Sequence, residues 1–449
     1  MGGLEPLKNT VVTGFLHSYK STLDDLLEDH SSPLNIIFPQ IFIDNINGFK
    51  AAFSYHGMKE NIFFSSKANK SSALIKTAAH ANIGLEVGSY YELQNALEKG
   101  VYGSKIIASG PGKTEKYLLL CLRRGARISI DSKTELTDLI ELCKELKVRA
   151  HAIIRINITG KSKFGLGVPL DQQTLNLIKN NNAFVDVVGV SGHIDGNYGL
   201  DARVKMIRKG IKICEQLKKA GCINCRIIDI GGGFTVRYTT EKAWRNFKKG
   251  KIKFWRNKHF SSFYPYYTRH SGAAGLKYIL ESETNGKKVY DILKSKDYEL
   301  AIEPGRALLD QAGITIMKII ERKQIGEDWL VVVDANINHL SEQWFNTDFL
   351  VSPELITQGK RRENSFEGYI AGNLCLEQDM ISWHKVKFRK MPMPGDLLVF
   401  YNTAGYQMDS NESEFMRIPM AKKVIAIKNE GRWELYEDDS FSQVDLLKG

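Results

Sequence analysis

Asn61-Ile62-Phe63-Phe64-Ser65-Ser66-Lys67-Ala68-Asn69-Lys70 reads as a short apolar strand that ends on a lysine and gives way to a helical pattern over 71–82. The same unit recurs along the chain. Strand-like runs at 61–66, 83–87, 105–109, 127–130, 150–156, 186–193, 226–230 and 299–303 alternate with amphipathic stretches such as 71–82, 89–100, 133–147 and 202–220. Eight strands, each followed by a helix, is the count of a (β/α)8 barrel, an α/β fold that places its chemistry at the C-terminal strand ends. The polar and glycine residues gather there: Lys67, Glu86-Val87-Gly88-Ser89, Gly110-Pro111-Gly112, Asp131-Ser132, Arg155-Ile156-Asn157, His193, Gly231-Gly232-Gly233 and Glu303-Pro304-Gly305-Arg306. Packing alone gives no reason for such a bias.

Past about residue 312 the pattern changes. Ile314–Ile320, Trp329–Val333, Leu397–Tyr401, Val424–Ile427 and Trp433–Tyr436 are β-rich runs without long helices between them, which predicts a C-terminal β-sandwich or β-barrel domain. Leu34–Ile46 also reads as extended and could join that sheet. The expected division is therefore an N-terminal segment (1–46), a barrel (47–312) with an insertion at 240–272, and a β domain (313–449). A chain of 449 residues is too long for one ordinary core, in keeping with two domains.

Charged residues at 25% and hydrophobic ones at 43% are those of a globular protein, and no apolar run is long enough to span a bilayer. The opening Met1-Gly2-Gly3-Leu4-Glu5-Pro6 shows neither a charged n-region nor an h-region, and Pro6 spoils a myristoylation pattern, so a cytoplasmic location is expected. Six scattered cysteines (Cys121, Cys143, Cys214, Cys222, Cys225, Cys375) suit reduced thiols, and the Cys222/Cys225 pair lacks the partners of a metal site. The net charge of +11 is concentrated between Lys242 and Arg269, where Trp, Phe and Tyr interleave with Lys and Arg. No nucleic-acid motif accompanies that stretch, and neither nucleic acid nor membrane is an expected partner.

Two features carry chemistry on their own. A lysine set among apolar walls and positive neighbours is pushed toward the free amine that attacks carbonyls, and the useful electrophile for it is the aldehyde of pyridoxal phosphate. Three glycines after the strand Ile227–Ile230 let backbone N–H groups approach an anion, and the Glu-Pro-Gly-Arg run after the next strand adds a guanidinium for the same anion. In a barrel, the loops after strands seven and eight form the usual phosphate site.

The ordered set Lys67-Ala68-Asn69, Arg155-Ile156-Asn157, Ser162-Lys163-Phe164-Gly165, Gly192-His193-Ile194, Asp229 to Gly233, Glu303 to Arg306, Gly372 to Asp379, and Gly395-Asp396 with Ala404-Gly405-Tyr406 resembles the fold type III pyridoxal-phosphate-dependent decarboxylases, the group of ornithine, arginine and diaminopimelate decarboxylases. The likeness runs from about 60 to 410. It implies that Lys67 is the Schiff-base lysine, that Glu303 bonds the pyridine nitrogen, and that His193 stacks on the ring. It also implies that Gly231, Gly232, Gly233, Gly305, Arg306 and Tyr406 hold the phosphate, with Arg155 close by. Cys375 is similar to the cysteine that reaches the active site from the partner subunit and reprotonates the product, so a homodimer with shared active sites is implied.

The chain departs from the family pattern at three places. Asp195-Gly196 follows His193-Ile194 where Gly-Ser is usual, which removes a phosphate hydroxyl and adds a charge. Leu376 follows Cys375 where an acidic residue usually reads the distal amine of a basic substrate, the nearest carboxylates being Glu377 and Asp379. Ala404-Gly405-Tyr406 replaces Gly-Ala-Tyr. The second departure argues against plain ornithine, lysine or diaminopimelate and points to a modified or conjugated amino acid in specialised metabolism, for example siderophore or other natural-product assembly. Leu376, Glu377 and Asp379 are the expected substrate contacts. The insertion is expected to be a lid or docking surface for an anionic or carrier-bound substrate, or else a solvated excursion around a small aromatic core. An amino-acid racemase and a non-catalytic regulatory homologue are the competing readings of the whole chain.

Overall fold

The computed structural model describes residues 3–342 and 345–442, so the outermost residues of the expected N-terminal segment and β domain lie outside it. Two compact units emerge: Asn45–Phe234 with Gly272–Leu308, and Met1–Asp44 with Thr235–Ser271 and Leu309–Gly449.

The first unit is a closed barrel of eight parallel strands. In order around it stand Asn61–Ser65, Gly84–Val87, Ile106–Ala108, Arg127–Ile130, Ala150–Arg155, Val185–Ser191, Ile227–Asp229 and Glu299–Ile302, the last pairing back onto the first. Every predicted barrel strand is present, shortened by a residue or two at some ends. Phe63, Ile107, Ile153 and Ala301 fill the barrel with apolar side chains from several strands, so its interior is a packed core.

Local sequence makes the strand-to-helix turns stiff. Ser89 and Ser132 each accept a hydrogen bond from the backbone N–H three residues on, and Glu92 and Glu135 reach back to the N–H of Gly88 (2.6 Å) and Asp131 (3.2 Å). These are variants of the capping box in which the glutamate bonds the N–H one residue before the cap. At the second of them Lys113 joins in: its Nζ donates to Glu135 (2.9 Å) and to the carbonyls of Gly110 (3.0 Å) and Ser129 (2.5 Å), with both charged groups fully buried. The pair ties the Gly-Pro-Gly loop to the next strand end. Lys113→Met is expected to cost about 3–5 kcal/mol in chemical denaturation, because it leaves Glu135 a buried carboxylate without its cation.

The second unit is a bent, mixed nine-stranded sheet. Gly313–Ile325 is its hinge: residues 313–316 pair with Leu34–Ile37, 314–318 with Leu397–Tyr401, and 319–325 with Asp328–Val333, with a bulge at Ile319/Glu321. Three of its strands carry no strong alternation and are not legible in the sequence: Glu354–Ile356, Phe366–Ala371 and Met380–Phe388.

Two boundaries differ from expectation. Only Leu34–Ile37 is extended, because Pro39 opens a helix (Pro39–Tyr55), where its fixed φ and missing N–H fit the first turn. The insertion expected within the barrel packs on the sheet unit instead. Trp255 meets Tyr369 (ring centroids 5.2 Å apart), Phe260 meets Trp383 (6.5 Å), and Tyr266 donates to the carbonyl of Asp348 (3.1 Å). Its aromatic residues belong to a shared core, and its cations face out. Among the described residues no helix is long and apolar enough to cross a membrane.

Candidate active site

The C-terminal strand ends of the barrel bring together Lys67, Arg155, His193, Gly231–Gly233, Glu303, Gly305 and Arg306, as the sequence led us to expect. Lys67 stands in a 3-10 turn (Ser66–Ala68) directly after the first strand, its side chain half exposed. The buried Asn69 side chain accepts from the N–H of Ser71 (3.0 Å) and stiffens the turn. The surroundings of Lys67 are mixed in sign rather than positive: Glu86 Oε2 lies 3.4 Å from its Nζ.

The sequence reading placed Glu86 at a strand end but gave it no role. It is 2% exposed, and the hydroxyls of Ser65 and Ser109 donate to it. Burial works to raise its pKa, but the Lys67 charge and the two hydroxyls hold it at about 2, so it is an anchored carboxylate. The signal for it was a single acid inside the otherwise apolar Gly84-Leu85-Glu86-Val87.

At the ends of the adjacent seventh and eighth strands, Asp229 and Glu303 form a buried, hydrogen-bonded carboxyl pair. Burial, with the Glu86 charge, lifts Asp229 to about 6 even though Gly231 N–H donates to it (2.8 Å). Glu303 is pushed well above the usual carboxylate range, by desolvation first and then by the charges of Asp229 and Glu86. His193 is depressed by desolvation and then by the charges of Lys67 and Arg155, which leaves a neutral ring although solvent reaches one side of it. Arg155 stacks on Phe164 (4.3 Å) and lies 3.5 Å from Asp131.

The loops after strands six, seven and eight pack backbone to backbone. Glu303 N–H donates to Gly231 O (2.9 Å), Gly192 N–H to Asp229 O (3.1 Å) and Gly232 N–H to His193 Nδ1 (3.3 Å). A Cβ at Gly231 would sit 2.7 Å from His193 Nδ1, and one at Gly232 2.5 Å from Glu303 O. Gly231 and Gly233 also take positive φ (64° and 71°), so glycine is required on both counts.

The other expected site residues lie on the sheet unit. Tyr406 adopts φ 77° with its ring against Phe345 (5.6 Å). Cys375 is exposed, while the other five cysteines are buried. Leu376 beside it is 47% exposed. Glu377 pairs with Arg256 of the insertion (2.6 Å). Asp379 turns inward, accepting from the N–H groups of Ile337 (2.7 Å) and Leu374 (2.6 Å) at 3% exposure, so it anchors the Cys375 turn and is not available to a substrate.

Residues 42–263 match the family description "pyridoxal-dependent decarboxylase, pyridoxal binding domain", and residues 288–404 match "pyridoxal-dependent decarboxylase, C-terminal sheet domain". An uncharacterized protein of Sinorhizobium fredii, y4yA, is 34% identical over 97% of both chains. Diaminopimelate decarboxylase of Bacillus methanolicus is 26% identical over 90% of both. The structure of diaminopimelate decarboxylase from M. jannaschii in co-complex with L-lysine matches with a TM-score of 0.73 at 22% identity, covering 92% of this chain and 91% of that one, which concerns the fold.

Proposed function

Because the chain belongs to the pyridoxal-dependent decarboxylases, we propose that it removes the carboxyl group of an amino acid whose distal end is anionic or joined to an acidic carrier. Pyridoxal phosphate, when bound, supplies an aldehyde for amines and a ring that accepts the electron pair left as the Cα–carboxylate bond breaks. The barrel end fits this group. Glu303 is a crowded carboxyl that a cationic ring nitrogen would let ionise, and the glycine loops leave a cradle that any Cβ would fill. The buried Glu303 carboxyl, at the end of the strand next to that of Lys67 and within reach of its charge, is the observation that carries the proposal.

The residues divide the work. Lys67 would hold the aldehyde of the cofactor through its Nζ. Glu303 would keep a proton on the ring nitrogen, the neutral His193 ring would pack on the cofactor ring, and Arg155 would lie close by. Gly231–Gly233, Gly305 and Arg306 would take the phosphate, and the resemblance adds Tyr406. Cys375 returns a proton to the α-carbon. Its exposure on the sheet unit suits delivery from a partner subunit, and we propose a cytoplasmic homodimer with shared active sites.

The substrate assignment rests on the Cys375 loop and the insertion. Leu376 offers no charge, Glu377 is engaged by Arg256 and Asp379 is buried, so the loop presents no free carboxylate for a distal amine. Nine Lys or Arg and no Asp or Glu stand between Lys242 and Arg269, next to that loop. Replacing Lys242, Lys248, Lys249 and Lys251, all exposed, by Gln is expected to raise KM with little change in kcat, and the effect should shrink at high salt. Unchanged KM would remove the insertion from recognition.

The activity itself is tested by CO2 release from free L- and D-amino acids and their conjugates, using protein that has retained its cofactor. Release from conjugates or anionic amino acids supports the proposal. Racemisation without CO2 would favour a racemase, and a loaded protein inert toward every substrate would favour a regulatory homologue.

A further inference from the structure

Arg203 is 1% exposed, on the helix Gly199–Lys219 that follows the sixth barrel strand. A buried arginine needs a reason. Its Nη2 donates to the carbonyls of Ile194 (2.7 Å), Gly233 (2.8 Å), Gly232 (3.1 Å) and Asp195 (3.4 Å), and its Nη1 to that of Gly199 (3.0 Å). One guanidinium therefore gathers carbonyls from the His193 loop and from the glycine loop.

The trans peptide turns this grip into a second effect. Within each planar unit, C=O and N–H point in opposite directions. Carbonyls of 194, 195, 232 and 233 drawn toward Arg203 turn the N–H groups of Asp195, Gly196, Gly233 and Phe234 away from it. None of those four N–H groups has a protein acceptor among the described residues. They come from the two loops that the family's phosphate site draws on, and a positive charge lies behind them. The Asp195 side chain does not compete for this space, since its Oδ1 turns back to accept from the N–H of Asn197 (2.8 Å).

We propose that Arg203 is the positioning residue of the phosphate site, aiming two loops of N–H groups at the phosphate from beneath without touching it. It takes over the support that the missing hydroxyl at Asp195-Gly196 would have given. The proposal rests on the cofactor reading above, but its test needs no turnover.

Apoprotein is titrated with pyridoxal phosphate and, separately, with pyridoxal, and the ratio of the two dissociation constants is compared with that of wild type. Arg203→Met is expected to weaken pyridoxal phosphate about tenfold or more while leaving pyridoxal within about twofold. Arg203→Lys keeps the charge but loses the fork, and should lower the preference for the phosphorylated aldehyde to an intermediate value. Should the Met variant fail to fold, the Lys variant decides alone. An unchanged ratio in Arg203→Lys, or equal weakening of both aldehydes, would overturn the role and leave Arg203 a fold staple. Failure of wild type to bind either aldehyde would instead defeat the cofactor reading.

Discussion

Lys67→Ala is expected to abolish covalent retention of pyridoxal phosphate and to lower turnover by about 10³-fold or more, since the amine that holds and exchanges the aldehyde is gone. Borohydride reduction followed by peptide mass mapping reads the first effect: wild type should carry the label within 61–70, and the variant should carry none. Label at another lysine would displace Lys67 from the mechanism. A stability effect accompanies the loss. Glu86 has a folded pKa of about 2, below that of an unfolded glutamate, so it contributes stability above the unfolded value that is lost as pH falls toward 2. Without Lys67 that contribution shrinks, and the variant should unfold at a higher pH during acid titration. Because the Lys67 side chain is half exposed, the loss at neutral pH should stay near about 1 kcal/mol.

Glu303→Gln should separate catalysis from stability in opposite directions. An amide cannot carry the negative charge that holds a proton on the ring nitrogen, so kcat is expected to fall about 10²–10³-fold with cofactor affinity reduced far less. The apoprotein should gain. A carboxyl whose folded pKa is raised weakens the fold as pH rises from its unfolded value through its folded one, and Glu303, like Asp229, is of this kind. The glutamine variant should therefore be at least as stable as wild type at pH 7 and lose stability less steeply as pH rises above about 4. Denaturant midpoints of the apo forms measure this. Retained kcat would break the link between Glu303 and the ring, and a large loss of apo stability would contradict the crowded-carboxyl account.

Much of this site was legible because barrel strands are short, apolar and followed by chemistry. Lys67, His193, the glycine triplet and Glu303 each stand at the end of a run whose period identifies it. Arg203 left a weaker trace. It shares a helical row with Ile207, Gly210 and Cys214, all buried, and a cation in that row marks either a buried network or an error in the pattern. The insertion was misassigned to the barrel because composition reports that aromatic residues must be buried, but not against which partner. Trp255 and Phe260 found theirs on strands Phe366–Ala371 and Met380–Phe388, more than a hundred residues onward.

By itself, then, the sequence indicated the barrel and the polar residues at one end of its strands, because strand period and strand-end residues are local properties, and the resemblance of its ordered motifs pointed to the family. Only the tertiary structure decided which carboxylates stay charged, that Asp379 is an anchor and not a ligand, and that the basic stretch belongs to the sheet unit beside the Cys375 loop. Those outcomes depend on which groups lose water and which N–H or cation they then meet. That is a matter of contacts between distant segments, and no local pattern encodes it.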